Sequence, residues 1–176
     1  MIYHMLKDKI QSQINFIKNI WLFRKALTDF YWWDYSALIQ FMNIGLNEMT
    51  SGIENKGSET HTTKSKKILK MRRACEILQN HIDDNYREMA ENILGKSLDY
   101  ELKFIRLEDN PGLFSVEDGL TEEQRNHNLN VFLKSHELEI KEWKEFCDII
   151  KGQDDFSEED NCEEKFDGSG LKNWWD

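Results

Sequence analysis

The stretch that decides the fold is residues 64–94, KSKKILKMRRACEILQNHIDDNYREMAENIL. Ile68, Met71, Cys75, Leu78 and Ile82 recur at spacings of three and four, and Tyr86, Met89 and Ile93 extend the same face. That period lines one side of an α-helix and is incompatible with a strand, whose side chains alternate. Thr62 or Thr63 is placed to cap its start, and Gly95 follows its last apolar residue as a natural stop. One long amphipathic helix is therefore predicted from the caps to residue 94.

Working outward, three further helices follow from the same argument. Leu38, Met42, Leu46, Met49 and Ile53 predict one upstream. Leu6, Ile10, Ile14, Ile17 and Trp21, with Leu27 beyond a kink, predict another from Tyr3 to Asp29. Downstream, Thr121 and Gln124 fit a capping box, in which hydroxyl and amide side chains exchange hydrogen bonds with each other's backbone N–H. The stripe behind it is Leu133, His136, Ile140, Trp143, Cys147 and Ile150, with His136 read as a core histidine. With a single proline in 176 residues, the fold class is mainly α. The predicted architecture is a compact bundle of about four helices over residues 1–152.

Residues 98–119 break the helical period. Tyr100, Leu102 and Phe104 alternate with Glu101 and Lys103, and DNPG (109–112) is a turn signal before LFSVE. The segment reads as a small β-hairpin near 100–117 or as an irregular connection between helices.

WWD occurs twice, at 32–34 and at 174–176. In the first copy Asp34 stands as a helix N-cap. Trp33 can fold over Leu38, and Phe30, Tyr31 and Trp32 are expected to fill the corner between the first two helices. The second copy follows QDDFSEEDNCEEKFDGSG (153–170), a stretch too acidic and too poor in apolar residues to pack by itself. Residues 153–176 are thus an acidic linker ending in a hook. Trp174 and Trp175 either fold back between this chain's helices or enter another protein, since exposed tryptophans cost solubility.

Charge is unevenly spread. Residues 1–75 hold 12 Lys/Arg and 6 Asp/Glu, whereas residues 76–176 hold 11 and 27. Such an acidic half repels nucleic acid and favours basic protein surfaces or metal ions. The basic run Lys64, Lys66, Lys67, Lys70, Arg72 and Arg73 is read as an internal ion-pair zipper with the tail carboxylates rather than a phosphate-binding patch. Cys75, Cys147 and Cys162 lack CxxC spacing and read as reduced thiols, the first two at apolar helix positions. No signal peptide or membrane-spanning stretch is legible.

Motifs for chemistry are sparse. GxxxxGK[ST], GxGxxG, GxSxG and HExxH are all missing from the sequence. Asp84, Glu88 and Glu91 are spaced to share one helical face, a weak alternative set for a magnesium ion in a nucleotide-hydrolysing helical protein. A solvated acidic face explains the same spacing. Neither a catalytic residue nor a cofactor is called for by the sequence, and a non-enzymatic protein is expected.

Taken together, IKNIW (17–21), FYWWDYSALIQFMNIGLNEM (30–49), KSKKILKMRRACEILQNHIDDNY (64–86) and the terminal WWD are similar to a family of small proteins encoded by tailed bacteriophages. The resemblance covers about two-thirds of the chain. Members tend to carry charged residues where Asn43, Gly45 and Asn47 stand here, and the acidic linker looks like an insertion. The resemblance implies a phage origin and the cytoplasm of an infected bacterium, and it implies no reaction. The expected function is an accessory protein that binds and inhibits a host protein, such as a defence component of the CRISPR type. A virion or assembly helper is the other non-enzymatic option. The expected partner offers a basic surface, with no direct nucleic-acid or membrane binding. The expected contacts are Asp154, Asp155, Glu158, Glu159, Asp160, Glu163, Glu164, Trp174 and Trp175.

Overall fold

The computed structural model describes residues 2–31, 34–56, 61–107, 112–152 and 166–174. Among them are α1 (Ile2–Thr28), α2 (Ser36–Lys56), α3 (His61–Asp83), α4 (Tyr86–Leu94) and α5 (Glu122–Lys151). A two-stranded antiparallel sheet, β1 (Lys103–Arg106) with β2 (Phe114–Glu117), and a short 3-10 turn at Leu171–Trp174 complete the described elements. The fold is mainly α with a small β-hairpin. No helix among the described residues is long and apolar enough to cross a membrane.

The described residues fall into two compact units, 1–83 with 143–176, and 84–142. In the first, α2 and α3 pack along their length. Ile39 and Leu46 of α2 meet Met71, Ala74, Cys75, Ile77 and Leu78 of α3, joined by Phe146 and Ile149 of α5 and by Trp174. The α3 stripe is thus the centre of the core, as its period predicts. Burial pushes the Cys75 thiol above its usual range, against a hydrogen bond from Thr50.

Local signals acted as expected in several places. Asp34 accepts a hydrogen bond from the Ser36 amide (2.8 Å), which holds its carboxyl below the usual range. The capping box is reciprocal: Thr121 N–H donates to Gln124 Oε1 (2.8 Å), and Gln124 N–H donates to Thr121 Oγ1 (3.3 Å). The hairpin pairs Lys103 with Glu117 and Arg106 with Phe114. Most of the DNPG turn lies outside the described residues, as do Trp32 and Trp33.

Four expectations are corrected. The helix predicted to run to residue 94 breaks after Asp83, because Asp84 adopts a left-handed conformation (φ 52°) that aspartate tolerates better than most residues. On α1 the stripe Leu6, Ile10, Ile14, Ile17 and Trp21 is exposed. Ala26 is the buried residue, with Leu22 and Phe23 half-buried beside it, and Phe23 stacks on Phe41 of α2 at 5.4 Å. Phe30 and Tyr31 are exposed rather than filling a corner, and Leu38 and Met42 of α2 are exposed too. On α5 the inward face is Val131, Glu142, Phe146 and Ile149; of the predicted stripe, Ile150 packs against the core and Trp143 stacks on Phe146 at 5.3 Å, while Leu133, His136, Ile140 and Cys147 are exposed. That helix is apolar on two sides, and over most of its length periodicity alone picked the solvent side.

Candidate functional site

Three places in the chain were marked for function: the acidic tail with its tryptophans, the carboxylates around residue 88, and the basic run that opens α3. The structure treats them differently.

The tail returns to the first unit. Gly170 N–H donates to the Ile149 carbonyl (2.8 Å), and Trp174 is 1% exposed within the core of that unit. Its indole Nε1–H donates to the Gly168 carbonyl (2.8 Å), so a polar group that burial would otherwise strand is satisfied. Close backbone approach demands glycine here. Gly168 has φ 92°, and a Cβ there would collide with the Lys66 backbone; a Cβ on Gly152 (φ 76°) would lie 2.5 Å from the Gly170 Cα. Of the two fates open to Trp174, the structure shows the intramolecular one, so this indole is part of the core and offers no surface to a partner. Asp154, Asp155, Glu158, Glu159, Asp160, Glu163, Glu164 and Trp175 lie outside the described residues.

Asp167 fastens the returning segment. Its Oδ1 accepts hydrogen bonds from Ser169 N–H (2.8 Å) and Ser169 Oγ (2.5 Å), and its Oδ2 faces Lys70 Nζ at 3.3 Å. Partial burial works against its ionisation, but the Ser169 bonds and the Lys70 charge outweigh it, and the carboxyl stays below its usual range. Others of the basic run are engaged as well. Arg73 grips Glu145 with two parallel bonds (2.9 and 2.8 Å) and also meets Glu76. Arg72 reaches Glu54 at 2.5 Å, and Lys67 is buried with its ammonium 5.9 Å from the Phe166 ring. The zipper expected from the sequence is present in Lys70–Asp167, while its other arms run to α2, α3 and α5.

The carboxylate set does not assemble. Asp84 sits in the turn between α3 and α4, so it shares no helix with Glu88 and Glu91. Glu91 is held by Arg87 (3.1 Å) and by the Ser97 hydroxyl, the latter bond being its largest source of acid-shifting. Among the described residues, no group of three or more His, Cys, Asp or Glu is placed to hold a metal ion. The spacing argument failed because it assumed an unbroken helix.

The second unit carries a cleft of about 360 Å³ that sequence reasoning missed. It is lined by Asp84, Arg87, Tyr100, Phe132, His136 and Glu139, among others. His136 Nδ1 lies 3.3 Å from Glu139 Oε2, and Arg87 is turned towards Glu91 and Ser97. The connection leading into it is pinned by Asn128, whose side chain accepts from Leu98 N–H (2.8 Å) and donates to Leu98 O (2.9 Å). Of the charged lining groups, His136 and Glu139 thus face each other, while Arg87 is engaged outside the cleft by Glu91.

No family model, curated protein or solved structure matches this chain.

Proposed function

We propose that this is a phage-encoded, non-enzymatic accessory protein that acts in the cytoplasm of the infected host. It binds a host protein through an acidic surface and inhibits it, as an anti-defence inhibitor of the anti-CRISPR type whose target is a defence component such as a CRISPR effector. The observation that carries the reading is the return of residues 166–174 to the first unit. The stretch bearing Asp154, Asp155, Glu158, Glu159, Asp160, Glu163 and Glu164 is therefore tied at both ends to one body. Tying both ends removes part of the ordering cost that a free acidic tail pays on binding. Seven carboxylates in eleven residues suit a groove lined with Lys and Arg, of the kind that otherwise takes phosphates.

The test is capture from infected cells with the full chain, beside a variant in which those seven residues become Asn or Gln. The reading expects a host protein whose capture weakens steeply with added salt and is lost in the variant. Equal capture by both, without salt dependence, rules it out.

A further inference from the structure

The cleft in the second unit is lined wholly from residues 84–142, so one compact body shapes it. Part of its lining comes from α5, where Asn128, Phe132, Ser135 and Glu139 share one face of the helix with His136 beside them. The rest includes Asp84 in the turn before α4, Arg87 in the first turn of α4, and Tyr100 in the connection to β1. At about 360 Å³ the cleft stands at the small end of ligand pockets, with room for one small molecule or one long side chain.

What the lining still has to offer selects the ligand. Arg87 is bonded to Glu91 and to Ser97, and both ends of the Asn128 amide are taken by Leu98. His136 and Glu139 face each other at 3.3 Å. Among the described residues, nothing bonds the Asp84 carboxylate, the Tyr100 hydroxyl or the Ser135 hydroxyl. An ionised carboxylate only accepts hydrogen bonds, so Asp84 calls for a donor. Glu139 adds a second negative charge, while Glu91 draws off the charge of Arg87. Such a lining attracts a cation and repels a phosphate or carboxylate.

The shape of that cation follows from the other groups. A bare metal ion does not fit, because no three described His, Cys, Asp or Glu side chains converge to hold one. Tyr100 and Phe132 are both exposed and both line the cleft, and the negative face of an aromatic ring attracts an organic cation. An ammonium is a compact charge that holds its water strongly. A guanidinium is more weakly hydrated, stacks on aromatic faces, and presents paired donors to a carboxylate.

We propose that this cleft binds a guanidinium group, carried by a small molecule or by an arginine side chain of another protein. The site is separate from the acidic stretch at 154–164 and stands or falls without it.

NMR titration of the full chain tests this, with N-acetyl-arginine amide as the probe and N-acetyl-citrulline amide, its uncharged counterpart, beside it. Arginine is expected to give saturable shifts confined to the cleft, at Asp84, Tyr100, Phe132 and His136. Citrulline is expected to bind at least about tenfold more weakly, the order of one charge-assisted hydrogen bond. Asp84→Asn and Glu139→Gln are each expected to weaken arginine about tenfold with the spectrum otherwise native. Asparagine also tolerates the left-handed backbone at position 84, and the citrulline comparison needs no variant at all. Propylguanidine separates the two sources: if it binds as tightly as the capped arginine, a small molecule suffices, and if it binds more weakly, a protein side chain is the ligand. Either result supports the site. Four results overturn it: no saturable shift up to about 50 mM, shifts scattered over the acidic surface, equal binding of citrulline, or arginine binding unchanged in both variants.

Discussion

Helices α1 and α3 look alike as sequence and end in opposite situations. Both are long, both carry apolar residues at three and four, and both have basic residues beside the stripe. α3 is covered on its stripe by α2, by the end of α5 and by Trp174, and it supplies five residues of the core. α1 buries Ala26 and leaves the stripe itself in solvent. Periodicity marks an apolar face; it does not record what covers it.

The comparison is broken most severely by removing the cover that the chain supplies for itself. Trp174→Ala deletes the largest fully buried side chain and strands the Gly168 carbonyl it bonds. The expected loss is about 3–5 kcal/mol in urea unfolding. Trp21→Ala is expected to stay within about 0.5 kcal/mol, as surface substitutions do. Equal losses would erase the distinction between the two helices.

A smaller effect separates contact from conformation at two glycines. Gly168 and Gly119 both have positive φ, but a Cβ meets the Lys66 backbone at the first and nothing within 4 Å at the second. Gly119→Ala is expected to cost about 1–2 kcal/mol from the left-handed backbone alone. Gly168→Ala must cost more, because the returning segment has to lift off α3 before the new methyl fits. Thermal melts of the two variants, side by side, measure the difference.

At the capping box, Thr121→Ala removes the hydroxyl that receives the Gln124 amide and is expected to cost about 1 kcal/mol. The smallest effect is a titration. Asp118 is held down to about 2 by the Arg125 guanidinium, with help from the Leu120 amide. Its folded value lies below the ordinary value of 3.8, so its contribution is complete above that value and disappears as pH falls through about 2. Carboxyl carbon shifts followed by NMR from pH 5 to pH 1.5 should place its midpoint near 2, and Arg125→Met should return it towards 3.8.

Much of the fold was legible where a local rule and the core agreed. The α3 stripe, the Thr121 and Gln124 box and the hairpin are all set by neighbouring residues, so short stretches of sequence contain their causes. Two things were not. The break at Asp84 carries no glycine or proline, and its left-handed backbone (φ 52°) has no signature in the apolar period. α5 is apolar on two faces, Val131, Phe146 and Ile149 against Leu133, Ile140 and Trp143, and period cannot rank them. The hook was legible in kind, since an exposed pair of tryptophans asks for cover. The glycines at 152, 168 and 170 were its signal, each sitting at positive φ where the backbone folds back. The metal reading failed with the helix it assumed, and the cleft of the second unit has no signature at fixed spacing.

Hydroxyl-radical footprinting of the native chain, read at single residues by mass spectrometry, tests the central contrast within one molecule. Trp21 should oxidise readily while Trp174 and Met71 stay protected. Protection of Trp21, or oxidation of Trp174 at the same rate, contradicts it.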